Sequence, residues 1–268
     1  MKVFDGEREE VVDRRSMITN GLYGGIVFAT LCLFPSSVFG GSPHSQESKQ
    51  VAGENDPYLS CEQGKRQSPI NIVTSEHEDR HHDLVIRYQT TAMHVVHDGH
   101  SFKGFSASNS LVLFDGQSYQ FLQFHFHDPS EHHIDVMTYP LEMHLVHKNS
   151  EGKLLVIGVL AQEGEEHKEL AQAGAWVEEQ VGHRMMQSGE EVAGAYQFDL
   201  MKVLPKDREH FYAYGGSLTT PPCTEGVQWV VLKEPIELSG DQIHRFIRAY
   251  GPIARPVQPL LDRTIEAQ

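Results

Sequence analysis

Short segments in which apolar and polar residues alternate, or apolar residues run together, recur along the chain. They are Leu84–Tyr88, Leu111–Phe114, Tyr119–His127, Glu142–His147, Leu154–Ala161 and Val227–Leu232. Alternation with period two puts successive side chains on opposite faces of a strand. Turn formers separate the segments, as in Asp98-Gly99, Asp115-Gly116 and Ser150-Glu151-Gly152. The pattern predicts a mostly β, many-stranded protein. Two further segments read as helices, from His167 to about Arg184 and from Ser239 to Tyr250. The second opens on a serine cap and closes at Gly251-Pro252, which stops a helix.

The first 40 residues do not share this pattern. Ile26 to Phe34 is an apolar run in a weakly polar stretch, short of the roughly 20 residues a membrane-spanning helix needs. It suits a signal peptide covering residues 1–40, with Val38 and Gly40 placed for cleavage after Gly40. An uncleaved anchor is the alternative. Arg14-Arg15 resembles a twin-arginine export signal, although Asp5, Glu7, Glu9, Glu10 and Asp13 make the leader unusually acidic. The general export route is the other possibility. Residues 41–57 are polar, carry Pro and Gly, and read as a disordered linker. No second linker and no repeat follows, so residues 58–268 read as a single domain, with no stable membrane span once the leader is removed.

Composition narrows the picture. Hydrophobic residues make up 39% of the chain, enough for a sizeable core. The formal net charge of -15 argues against a nucleic-acid partner, whose phosphates need Lys and Arg. Of three cysteines, Cys32 lies in the leader. In an exported protein the remaining pair, Cys61 and Cys223, suggests one disulfide, with two unrelated thiols as the alternative. Closing so long a loop is worth about 4–5 kcal/mol in the chain-entropy account.

The chemistry concentrates in two strands. In Gln123-Phe124-His125-Phe126-His127 the residues Gln123, His125 and His127 share one face, and the two Phe take the other. In Glu142-Met143-His144-Leu145-Val146 the residues Glu142, His144 and Val146 share a face. If the strands are neighbours, three imidazoles converge. Three neutral nitrogens with an open fourth position describe a catalytic zinc site. Gln123 and Glu142, each two residues from a ligand, would accept the free ring N–H and fix its orientation. The spacing alone is a weak signal. The chain holds 17 His, and other close pairs such as His81-His82 and His132-His133 show how readily they arise by chance.

Six segments resemble the α-class carbonic anhydrases: Gly64 to Ile72, Asp98-Gly99-His100, Gln123 to Glu131, Leu141 to His147, Gly216 to Trp229, and Arg255 to Leu260. Together they cover residues 58–268 in the family's order. The resemblance implies one domain built on a large twisted, mainly antiparallel sheet with a few short peripheral helices. It also implies reversible hydration of carbon dioxide to bicarbonate and a proton, by attack of zinc-bound hydroxide. The zinc ligands would be His125, His127 and His144. Thr219 would accept a hydrogen bond from the hydroxide and donate one to Glu131. His100 would shuttle the proton to buffer. Val146, Val156, Leu218, Val227 and Trp229 would form the apolar wall that receives carbon dioxide, and the Thr220 N–H would help place it. Cys61 and Cys223 match the disulfide of exported members. The implied protein is a periplasmic or secreted zinc lyase acting on a small molecule as a monomer or homodimer.

Three departures from the family pattern stand out. The stretch ahead of Cys61 is shortened, and a tyrosine that borders the cleft in the family has no counterpart. Lys103 stands where Asn or Gln is usual beside the cleft. Ile253 replaces a common Asn before Arg255, where the family uses the backbone carbonyl.

Overall fold

Aromatic and β-branched residues at alternate positions draw most of the chain into one sheet. The computed structural model describes residues 59–97, 102–106, 109–182, 186–250 and 253–268. The expected leader at 1–40, the expected linker at 41–57 and His100 lie outside the described residues. All described residues fall within one compact unit, Gln50–Gln268.

The strands are β1 (Asn71–Ile72), β2 (Glu78–Asp79), β3 (Leu84–Arg87), β4 (Thr91–His97), β5 (Phe102–Ser106), β6 (Leu111–Phe114), β7 (Gln117–His127) and β8 (His133–Ile134). They continue with β9 (Leu141–Lys148), β10 (Leu154–Glu163), β11 (Glu191–Phe198), β12 (Phe211–Ser217), β13 (Glu225–Leu232), β14 (Ile236–Leu238) and β15 (Glu266–Ala267). The helices are α1 (Leu59–Gln63), α2 (Lys168–Gln180) and α3 (Gly240–Tyr250). None of these helices is long and apolar enough to cross a membrane.

Among the described residues, thirteen strands form one sheet, ordered β11-β4-β5-β7-β9-β10-β13-β12-β15-β2, with β6, β3 and β14 attached to its sides. Most pairings are antiparallel. The pairs β10–β13, β10–β14 and β15–β2 are parallel, so the sheet is mixed. All six expected strands and both expected helices are present. Four long strands escape the sequence pattern: β4, β5, β11 and β12. Their alternation is interrupted by glycines or by polar residues, as in the FKGFS of β5 and the FYAYGGS of β12.

Burial follows from the sheet's two covered faces. Every residue of β9 except Lys148 is buried, as expected of a central strand enclosed on both sides. One face packs Tyr119, Phe121, Phe124, Phe126, Leu145 and Ile157 with residues of α2 and α3. The other carries a smaller cluster that includes Ile70, Val146, Val156, Tyr214, Val227 and Trp229.

Strand β7 holds the device that serves both faces. Tyr119, Phe121, Phe124 and Phe126 all enter the same core, although two have odd numbers and two even. A bulge makes this possible: Phe121 pairs with His147 and Gln123 with Val146, so Leu122 is the extra residue. A one-residue insertion exchanges the faces of everything beyond it. Without Leu122 the histidines would point into the aromatic core. With it, Gln123, His125 and His127 turn to the opposite face.

Candidate metal centre

Strand pairing brings the three expected ligands together. His125 stands opposite His144, and His127 opposite Glu142, across β7 and β9. Directly paired residues share a face at about 4.5–5.5 Å. The imidazole centroids lie 4.9 Å apart for His125–His127, 5.3 Å for His125–His144 and 4.5 Å for His127–His144. One nitrogen from each ring lies within 4.8 Å of the others. His127 and His144 are buried, and His125 is partly so.

Neighbouring groups fix two of the rings. Gln123 Oε1 accepts from His125 Nδ1 at 2.9 Å, which leaves Nε2 with its lone pair. His144 Nε2 lies 3.0 Å from Glu142 Oε1, close but off the line of a straight hydrogen bond. With the proton on Nε2 towards the carboxylate, Nδ1 of His144 carries the lone pair. Both expected partners, Gln123 and Glu142, therefore stand beside their histidines. His127 has no such partner: both of its ring nitrogens are buried without a hydrogen bond, and so is Glu131 Oε2. Its Nδ1 lies 3.3 Å from Glu131 Oε1.

Charge in this site is arranged around Glu142. Its Oε2 accepts the backbone N–H groups of Glu131 and His132 at 2.9 and 2.8 Å. Its Oε1 takes His132 Nδ1 at 2.7 Å as well as facing His144. Burial would push this carboxyl up, but His132 and His144 outweigh it and hold Glu142 well below the usual carboxylate range. Burial would depress His144, and Glu142 reverses that, so His144 is raised. His127 is driven well below the ordinary histidine range, first by burial and then by His144 and His125. A neutral ring is the form that binds a metal.

Glu131 forms the link to the threonine loop. Its Oε1 accepts the Arg255 N–H at 2.9 Å, and the Thr219 hydroxyl is close enough to the carboxylate to lower its pKa. Burial lifts the Glu131 carboxyl above its usual range against the pull of His144, Arg255 and Thr219. Arg255 donates further to Gln67 Oε1 at 2.9 Å, Ser68 O at 2.6 Å and Cys61 O at 2.9 Å. Cys61 is bonded to Cys223, with 5.0 Å between Cα atoms, four residues beyond Thr219. Thr219 is buried and Thr220 exposed.

The apolar residues line up across the sheet. Pairings run from Gln123 to Val146, Val156, Trp229 and Tyr214, so Val146, Val156 and Trp229 share the histidine face. Val227 packs in the same cluster, with half-buried Leu218 against it. The Trp229 ring meets His132 and His144 edge-on at 4.8 Å each.

His132, Tyr214 and Ser68 extend this network beyond the expected site residues. His132, taken for a chance neighbour of His133, is fully buried, and its Nε2 accepts from the Tyr214 hydroxyl at 2.8 Å. Tyr214 in turn lies 2.8 Å from Ser68 Oγ. His132 leaves no periodic signal, because it sits in the irregular stretch between β7 and β8. His100, the expected shuttle, lies outside the described residues.

Comparison with known proteins places this geometry in a family. A family model described as eukaryotic-type carbonic anhydrase matches residues 49–268. A carbonic anhydrase of Pectobacterium atrosepticum is 34% identical over 246 residues, covering 88% of this chain and 97% of that protein. One from a Nostoc species is 36% identical over 218 residues and covers 80% of each. The solved α-carbonic anhydrase of Thermovibrio ammonificans, in complex with sulfanilamide, superposes with a TM-score of 0.71 at 38% identity, over 78% of this chain and 90% of that one. The chain therefore belongs to the α-class, eukaryotic-type carbonic anhydrases, and its reaction is the reversible hydration of carbon dioxide to bicarbonate and a proton.

Proposed function

We propose that His125, His127 and His144 hold a zinc ion at which this reaction takes place. The observation that carries the reading is the pair of buried, unbonded nitrogens of His127, set where one nitrogen from each of the three rings lies within 4.8 Å of the others. Buried polar atoms without partners call for an explanation, and a divalent cation with three imidazole ligands supplies one. When bound, zinc supplies the Lewis acidity that makes water a nucleophile at neutral pH.

The chain's own residues do the rest. Gln123 and Glu142 hold two ligand rings in the required tautomer. The Glu131 carboxylate can only accept, so the Thr219 hydroxyl donates to it and keeps its lone pairs for the attacking water. That fixes the direction of attack. Val146, Val156, Leu218, Val227 and Trp229 offer carbon dioxide an apolar surface, and the Thr220 N–H helps place it. His100 takes the proton that water gives up and passes it to buffer, a task suited to a group titrating near neutrality.

Residues 58–268 form the catalytic domain in this reading, and residues 1–40 an export signal followed by a linker at 41–57. The Cys61–Cys223 bridge supports an oxidising compartment, periplasmic or extracellular. Sequencing the N-terminus of the exported protein tests the boundary: a start at Gly41 is expected.

Zinc stoichiometry and carbon dioxide hydration measured on the same purified protein test the central claim. One zinc per chain with rapid hydration is expected, and an inert, metal-free protein would overturn it. His144→Ala should lose both zinc and activity. His100→Ala should slow turnover in weak buffer and recover with added imidazole; equal rates in weak and strong buffer would remove the shuttle.

A further inference from the structure

Strand β5 lies beside β7 on the side away from β9 and contributes Lys103 to the histidine face. The register fixes this. Gly104 pairs with Phe124, and Phe105 with Gln123. One step further along the same antiparallel register sets Lys103 opposite His125. Faces agree with that placement. A Cβ on Gly104 would strike the Phe124 ring at 2.2 Å, so Gly104 lies over the aromatic core. Lys103, the next residue, takes the other face, where it is half-buried. On its far side it pairs with Val96 of β4. His94 occupies the neighbouring row of that face, opposite Phe105, with Glu191 at 3.5 Å from its ring. The ligand row of the sheet thus reads Val96, Lys103, His125, His144, Gly158, with a lysine stem rooted one strand spacing from a metal ligand.

The two forms of the substrate differ in charge. Carbon dioxide is neutral, whereas bicarbonate is an anion, and the chain as a whole carries a formal charge of -15. A negative protein repels bicarbonate and other small anions at long range. A cation held beside the metal ligand acts against that field at short range. We propose that Lys103 sets the anion affinity of the metal cleft, tightening the binding of bicarbonate and other small monovalent anions while leaving carbon dioxide unaffected. This rests on the reading of His125, His127 and His144 as the metal site. The equilibrium between carbon dioxide and bicarbonate fixes the ratio of kcat/KM in the two directions. Tighter bicarbonate binding therefore shows as stronger product inhibition of hydration, and not as a changed ratio.

Cobalt(II)-substituted full-length protein provides a readout independent of turnover. Titrating thiocyanate, and separately bicarbonate, against its visible spectrum gives the dissociation constants directly. Removing one cationic charge from the ligand row, Lys103→Gln should weaken both about three- to tenfold. Lys103→Glu should weaken them further, and Lys103→Arg should retain them. Should the Gln variant fail to fold, Lys103→Met keeps the stem without the charge and gives the same comparison. Unchanged anion affinity in folded, cobalt-loaded Gln, Met and Glu variants would overturn the proposal while leaving the metal site intact. A wild-type protein that takes up no cobalt would overturn the site and the proposal together.

Discussion

His125 and His144 face each other as a directly paired couple across β7 and β9, their rings 5.3 Å apart and almost perpendicular at 88°. The next pair of the same face joins His127 to Glu142. Three imidazoles and a carboxylate thus occupy two rungs of one ladder. Their spacing is set by backbone hydrogen bonds and does not depend on loop conformation. Sites built on strands are held more closely than sites on loops. The threonine loop is irregular and is tied down instead by Glu131, Arg255 and the disulfide.

Glu142 is the most demanding position of this arrangement. Four N–H groups converge on its two oxygens. A glutamine there offers one oxygen and one donating NH2, so donor would meet donor on one side. Glu142→Gln should weaken zinc binding about 10–100-fold, the usual cost of losing a ligand's outer partner. Competition with a chelator measures this. Affinity within twofold of the wild type would show that Glu142 does not orient His144.

Gly158 stands opposite His144 on β10. A Cβ at this position would come within 2.8 Å of Glu142 Oε1. Gly158→Ala should therefore displace the carboxylate, costing about 1–3 kcal/mol in overpacking together with zinc affinity. Urea unfolding and the same chelator competition check the two effects. Full stability with full metal affinity would mean that Glu142 has room to move.

Much of this was legible in the residues. The face shared by Gln123, His125 and His127 follows from period two alone, and so does that of Glu142, His144 and Val146. The neighbour relation of the two strands does not. Nor does the Leu122 bulge, since Tyr119 to His127 reads as an unbroken strand and only pairing with β9 reveals the extra residue. Lys103 illustrates the same gap. Its position in the sequence marks a departure, but its place beside His125 needs the register of β5, a strand whose FKGFS pattern gives little alternation to read. His132 was invisible for a different reason: its role comes from burial between Glu142 and Tyr214, residues 10 and 82 positions away.

His147 predicts an acid-sensitive core. It is fully buried, its Nε2 accepts from the Tyr88 hydroxyl at 2.8 Å, and its Nδ1 faces the Leu155 carbonyl at 3.3 Å. Burial lowers its pKa to about 4. A folded-state value below the unfolded one near 6.5 favours the neutral ring, so its contribution is complete above pH 6.5. It is lost as pH falls towards 4. Stability should drop by about 2–3 kcal/mol between pH 7 and pH 4.5 from this group alone. Urea unfolding at both pH values tests it. In His147→Gln, which cannot titrate, the difference between the two should shrink by that amount; an unchanged difference would assign the acid sensitivity elsewhere.

Reduction of the Cys61–Cys223 bridge should act on stability and on the site together. The bridge spans 162 residues, and closing a loop of that length stabilises the fold by about 5 kcal/mol in the chain-entropy account. One end lies in α1, whose Cys61 carbonyl accepts from Arg255 Nη2. The other follows the Thr219 loop, where the Cys223 carbonyl accepts from Gln67 Nε2 at 3.2 Å. Arg255 in turn bonds Gln67 and, through its backbone, Glu131. Loss of the covalent tie leaves these hydrogen bonds to hold Thr219 against Glu131 unaided. The Cys61→Ser, Cys223→Ser double variant should therefore melt well below the wild type. In the temperature range where it is still folded and zinc-loaded, it should also show lower kcat/KM for hydration. Calorimetry with zinc analysis and stopped-flow rates separates the two effects. A lowered melting temperature with wild-type kcat/KM would confine the bridge to stability and show that the Gln67–Arg255–Glu131 contacts alone place the threonine.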